Sequence, residues 1–265
     1  ERLTFDVDVS RTDIMIPDPQ PRRSIEQATL EEKLTKEAEF MEKEKLMKPL
    51  AIRVTKILRS QGLLALGAEN LNFGVGEDGK ERTSSLKFRS NNTGEQSNYQ
   101  LSWSQLSEIT KCLRVRSLLP SSISVTDQEN ISKHAAWRWF YLLGNSRLHH
   151  LAMGEMVKLI VSNSQRQVSG VESNKLIIYS AHDSTLIGLI CALHLEKPSL
   201  WPEYGSYLKI ELFEQSFEDA SGYDKQYFLR FSLNDKLLKS MWGSEFAGLQ
   251  REFVPLNELK DFLDR

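Results

Sequence analysis

The sequence predicts an α/β protein in which a mixed core of strands and helices carries a large helical insert between its N- and C-terminal parts. Three observations predict it. The chain opens with "ERLTFDVDVSRTDIMI" from Glu1 to Ile16, whose loose apolar/polar alternation suits extended structure ending at the turn-rich "PDPQPRR". Helical periodicity then dominates to about residue 169. From residue 170 onward the pattern changes to strand, loop and helix, followed by two more strand candidates. The expected organisation is a core built from residues 1–29 and 170–265, with residues 30–169 as the helical insert.

Within the insert, Leu30, Leu34, Ala38 and Met41 recur at helical spacing while charges fill the other faces, and Pro49 is expected to end or kink that run. A second helix follows through Leu50, Val54, Ile57 and Leu58 toward Gly62. Residues 67–99 are rich in Gly, Ser, Asn and charge and read as a flexible exposed loop. Gly74, Gly76 and Gly79 match G-x-G-x-x-G there, but no helix-forming run follows them, so a flexible turn is the better account.

Leu106, Ile109 and Leu113 then line one helix face after Trp103, and Pro120 closes it. Thr126 with Glu129 makes the T-x-x-E capping pattern ahead of "NISKHAAWRWFYLL". A further helix runs from about Arg147 to Val161. Trp137, Trp139, Phe140 and Tyr141 read as core packing. His134, His149 and His150 lack the i, i+4 spacing of a helical zinc site and read as surface or satisfied core histidines. Beyond the insert, "KLIIYS" from Lys175 to Ser180 suits a buried strand, and Leu186, Leu189, Ile190 and Leu193 make a helical stripe. Strands are expected around Tyr207–Glu214 and Tyr227–Leu233, joined through the polar "QSFEDASGYD", with an amphipathic helix in "PLNELKDFLDR".

Composition narrows the function. Hydrophobic residues make up 40% of the 265, enough for a real core, and 34 basic against 36 acidic residues leave a formal net charge of -2. There is no overall electrostatic case for a nucleic-acid partner, so any anion site must be local. Cys112 and Cys191 are too few for a disulfide framework or a zinc cluster and read as buried thiols. No apolar run has the length of a transmembrane segment. The sequence begins at Glu1 without an initiator Met, which fits a processed chain or a fragment. Asn91 and Asn130 open N-x-[ST] tripeptides that would be glycosylated on a secretory route, so localisation stays open.

One stretch carries chemistry. In an α/β sheet, ligands collect beyond the carboxyl ends of strands, where the next helix presents unpaired amides to an anion. His182 and Asp183 fall at such a place, between "LIIYSA" and the stripe beginning at Leu186. An imidazole can donate to a phosphoryl oxygen, and the adjacent carboxyl can protonate a leaving alcohol. The pair suits phosphate ester cleavage but supplies no nucleophile. On chemistry alone, Asp183 as a simple helix cap is an equal reading.

"YSAHDSTLIGLICAL", followed by "WPEYGSYLKIELFE", "YFLRF" and "VPLNELKDFL", resembles the C-terminal portion of the histidine acid phosphatases, in the second branch of the histidine phosphatase superfamily. Pro202, Tyr204, Gly205 and Ser206 stand in the family's Pro-x-Tyr-Gly/Ala-Ser element. The helical layout around "LSWSQLSEITKCL" and "HAAWRWFYLL" is similar to the lysophosphatidic acid phosphatase type.

The resemblance implies a phosphoglycerate-mutase-like three-layer sandwich and a metal-free, cofactor-free reaction through a phosphohistidine. It makes Asp183 the proton donor and His182 a phosphate ligand. The expected substrate is a small phosphomonoester, with lipid and sugar phosphates both open. The family's nucleophile lies in an R-H-G-x-R-x-P motif, and no Arg-His-Gly occurs in these 265 residues. The expectation is therefore an acid phosphatase incomplete at its N-terminus and inactive as this chain alone. The alternative is a pseudophosphatase that binds a phosphate ligand or acts as a scaffold without turnover. A metal-dependent HD-type hydrolase would need His-Asp inside a helix with further ligands nearby, which the strand pattern before His182 opposes.

Overall fold

The computed structural model describes residues 24–64, 101–171, 174–219, 222–240 and 252–263. The N-terminal strand expectation, the loop at 67–99 with its glycines, and Asn91 lie outside them. The described residues combine helices with an antiparallel sheet, the mixed α/β content that the sequence predicts. They fall into two compact units, one holding the first four helices with Pro198–Trp201, the other running from Leu143 to Lys197 and onward from Pro202.

In the helical unit, α1 (Ile25–Thr35) starts at Ser24, whose hydroxyl accepts from the Gln27 amide at 3.0 Å. The chain breaks at Lys36–Glu37 and resumes as α2 (Ala38–Ser60). Pro49 lies inside α2, so the expected stop does not occur. A proline removes one ladder bond, but α2 buries Phe40, Ala51, Val54 and Leu58 along one face, and that packing holds the helix through it. Gly62 ends the helix with φ +67°, which lets the Leu63 amide reach back to the Leu58 carbonyl at 3.0 Å.

Helix α3 (Trp103–Val115) opens with a reciprocal cap between Ser102 and Gln105, at 3.2 and 2.9 Å. Helix α4 (Val125–Leu142) has its reciprocal cap two residues earlier than expected. The Asp127 amide donates to the Ser124 hydroxyl at 3.0 Å, and the Ser124 amide to the Asp127 carboxylate at 2.9 Å. Asp127 also holds Arg53 of α2 at 2.5 Å. Glu129 lies 3.8 Å from Lys133 instead.

A polar cluster sits among these helices. Glu44 of α2 takes a 2.7 Å hydrogen bond with the buried His134 Nε2, pairs with Arg138, and accepts from the Trp103 indole at 3.4 Å. Burial works against the Glu44 carboxylate, but the His134 bond and the Arg138 charge outweigh it and hold its pKa below the usual carboxylate value. Replacing Glu44 with Ala leaves a largely buried guanidinium without its carboxylate. Denaturant unfolding of Glu44→Ala is expected to show a loss of about 2–4 kcal/mol; a loss under about 0.5 kcal/mol would contradict this role.

In the other unit, α5 (Ser146–Val168) is capped by Asn145 and buries Leu148, Met153, Met156, Val157 and Ile160. Against it packs α6 (Asp183–Ala192), which buries Ile187 and Ile190 completely. The sheet is antiparallel. Strands β1 (Leu208–Asp219) and β2 (Gly222–Leu233) pair from Leu208↔Leu233 to Asp219↔Gly222, so most of the expected long connection is instead paired backbone. On the other edge of β2 lie β3 (Lys236–Leu238) and β4 (Phe253–Pro255), and α7 (Leu256–Leu263) follows at once. Asn234 and Asp235, with φ +48° and +62°, make the two-residue turn between β2 and β3. Leu229 and Phe231, two apart on β2, face the core with Leu238, Val254 and Leu259.

One strand expectation is corrected. Lys175–Ser180 pairs with no described strand, and Leu176 and Ile178 are 72% and 71% exposed. A strand exists through its ladder, and no described segment supplies one here.

Candidate functional site

Site geometry begins with α6. Its first turn is held by buried Ser184 and Thr185 above the buried Ile187 and Ile190, so the helix start is a fixed point of its unit. His182 is the residue before the helix, with extended backbone at φ -108°, ψ 164°. Its amide donates to Thr185 Oγ1 at 3.2 Å, while its carbonyl accepts from the Thr185 amide at 3.1 Å. His182 is exposed.

Asp183 is the first residue of α6 and half-buried. Its Oδ1 accepts from the Ser184 amide at 2.7 Å, which fixes the carboxyl against the helix end. The approach segment is tied to α5 where Asn163 Nδ2 donates to the Tyr179 hydroxyl at 2.7 Å. Burial raises the Tyr179 phenol pKa, so this hydroxyl stays protonated. The structure thus brings His182 and Asp183 together at one helix N-terminus, with positive dipole end and amides on the same side.

The Pro-x-Tyr-Gly-Ser element is an exposed turn leading into β1. Gly205 has φ +76°, the left-handed conformation such a turn requires, and Tyr204 is 71% exposed. Asn234 clamps the turn: its amide group donates to Ser206 Oγ at 3.1 Å and accepts from the Tyr207 amide at 3.0 Å. No periodicity in the sequence announces that clamp.

The remaining histidines divide. His134 belongs to the Glu44 cluster. His149 is 3% exposed, with Nδ1 donating to the Leu143 carbonyl at 3.0 Å. Its Nε2 is buried without a hydrogen-bond partner, so the reading of a satisfied core histidine needs correction. Sequence reasoning missed this, because no local signal marks which ring nitrogen a fold leaves unpaired. Cys191 is buried as expected, whereas Cys112 is exposed on α3.

Burial drives the His149 pKa down to about 4, against the Leu143 bond, with the charge of Lys197 and the neighbouring histidines adding to the depression. The unfolded chain takes this proton near pH 6.5 and the folded chain does not, so its contribution is complete above pH 6.5 and is lost as pH falls toward 4. The expected loss is on the order of 2–3 kcal/mol. Urea midpoints at pH 7 and pH 4.5 on wild type and His149→Phe test it: the wild type should lose more than the variant.

His182, exposed, and Asp183, half-buried, stand side by side at the start of α6 in a mixed α/β fold. Residues 27–234 match the histidine phosphatase superfamily (branch 2), and the chain belongs to that family. A curated relative, "Counting factor 60" of Dictyostelium discoideum, is 26% identical over 133 residues, which is 50% of this chain and 30% of that protein. The chain therefore matches less than a third of that relative's length. Neither match singles out the lysophosphatidic acid phosphatase type. Among the described residues no helix is long and apolar enough to cross a membrane.

Proposed function

We propose that this chain carries the acid half of a phosphomonoesterase that works through a phosphohistidine. His182 binds a phosphoryl oxygen, Asp183 protonates the leaving alcohol, and the attacking histidine comes from outside these 265 residues. The placement of His182 and Asp183 side by side at the α6 N-terminus carries this reading.

In the forward step the external imidazole nitrogen forms the N–P bond while the P–O bond to the alcohol breaks. The alkoxide oxygen takes the Asp183 proton as it leaves. Water then attacks the phosphohistidine, and the Asp183 carboxylate accepts its proton, so inorganic phosphate is released and the acid is restored. His182 and the helix end stabilise charge on the non-bridging oxygens in both steps. The substrate follows from the chemistry only as a phosphomonoester with an alcohol leaving group.

Rapid-quench trapping under alkali with a 32P-labelled phosphomonoester tests the proposal. The full-length protein should acquire alkali-stable label on a histidine, and the 265-residue chain should acquire none. Label on the short chain alone would overturn the external nucleophile. Tight phosphate binding by the full-length protein with no label and no turnover would establish the non-catalytic reading instead.

A further inference from the structure

Charge is distributed unevenly along α2. Residues 37–44, "EAEFMEKE", hold four acids and one base, whereas residues 45–60, "KLMKPLAIRVTKILRS", hold five bases and no acid. In a chain of net charge -2 this is a local concentration of positive charge. Met41, Lys45, Lys48, Ile52, Lys56 and Arg59 recur at intervals of three or four residues, so they form one stripe along the helix. All six are exposed, Met41 by 57% and Ile52 by 50%. Phe40, Ala51, Val54, Thr55 and Leu58 make the buried face, which is a different one. At 1.5 Å rise per residue the stripe is roughly 27 Å long.

The chemistry of the occupant follows from what the stripe interleaves. Its partner must take positive charge and apolar surface together along one line. An anionic lipid surface does both: its headgroups meet the ammonium groups, while Met41 and Ile52 reach the acyl boundary just beneath. A nucleic acid fits less well. Its backbone would pair with the lysines but set Met41 and Ile52 against phosphate, and the stripe has no aromatic ring to stack on a base. Arg53 stands apart, held by Asp127. Glu42 flanks the first turn of the stripe, so the attraction centres on residues 45–59.

We propose that this face of α2 docks the protein on a membrane surface carrying anionic phospholipid. The contact is peripheral. The apolar face of α2 is already engaged in packing within its own unit, so the helix rests at headgroup level with only Met41 and Ile52 reaching deeper. Each lysine or arginine close to an anionic surface contributes about a fivefold factor in affinity, which salt screens. The surface does not involve His182 or Asp183 and does not rest on the phosphatase reading.

Co-sedimentation of the full-length protein with vesicles reads the affinity. Vesicles of equal parts phosphatidylcholine and phosphatidylserine should bind it saturably, vesicles of phosphatidylcholine alone should not, and about 0.5 M salt should release it. The variant Lys45→Gln/Lys48→Gln/Lys56→Gln should bind at least about tenfold more weakly, and Ile52→Ser a few-fold more weakly. These four side chains are exposed, so the circular dichroism spectrum should not change. Lys33→Gln/Lys133→Gln/Lys158→Gln, which removes equal charge from exposed positions elsewhere, should bind as wild type. Failure to bind the mixed vesicles, or a loss in the stripe variant no greater than in this control, would overturn the proposal. Tighter binding to a DNA duplex, indifferent to Ile52→Ser, would assign the stripe to nucleic acid instead.

Discussion

Asp183→Asn in the full-length protein is expected to lower kcat by about 10²–10⁴ while KM changes by no more than a few-fold. Asparagine keeps the shape of the side chain and the oxygen that accepts from the Ser184 amide at 2.7 Å, so the start of α6 is retained. What is lost is the proton. A group that moves a proton as the alcohol departs and again as water attacks contributes to the transition states and little to the bound substrate, hence the split between kcat and KM. Steady-state kinetics on a phosphomonoester, with circular dichroism to confirm the fold, check it. An unchanged kcat would remove Asp183 from the chemistry and leave it as a helix cap worth about 1 kcal/mol.

His182→Ala should behave differently. A donor to the phosphoryl oxygens acts on the substrate, on the transition state and on released phosphate. The expected result is a fall in kcat of about 10²–10³ together with weaker inhibition by inorganic phosphate. The fold should tolerate the change, because His182 contributes to the helix start through its backbone amide and carbonyl. Phosphate inhibition constants for the two variants separate the roles: His182→Ala should shift them and Asp183→Asn should not. The reverse pattern would exchange the assignments.

Much of this arrangement was legible in the sequence because it rests on local rules. The α6 stripe, the strands around β1 and β2 and the final helix follow from periodicity, and the His-Asp pair was found at the junction where α6 begins. What escaped prediction depends on distant partners. Pro49 stays helical within a helix that buries Phe40, Ala51, Val54 and Leu58, and the α4 cap forms at Ser124, whose partner Asp127 also pairs with the distant Arg53. Lys175–Ser180 has the composition of a buried strand, but composition cannot provide the neighbour that would pair with it. The unpaired nitrogen of His149 was invisible for the same reason: its environment comes from Leu143 and from the chain after α6.

The dependence on leaving group tests the central assignment most directly. A general acid matters in proportion to how badly the departing oxygen needs a proton. 4-Nitrophenyl phosphate releases a stable phenolate, whereas an alkyl phosphate releases a strongly basic alkoxide. With wild type and Asp183→Asn compared on both substrates, the loss in kcat/KM should be at least about tenfold greater for the alkyl ester. Equal losses on the two substrates would contradict Asp183 as the proton donor and with it the reading of this chain as the acid half of the site.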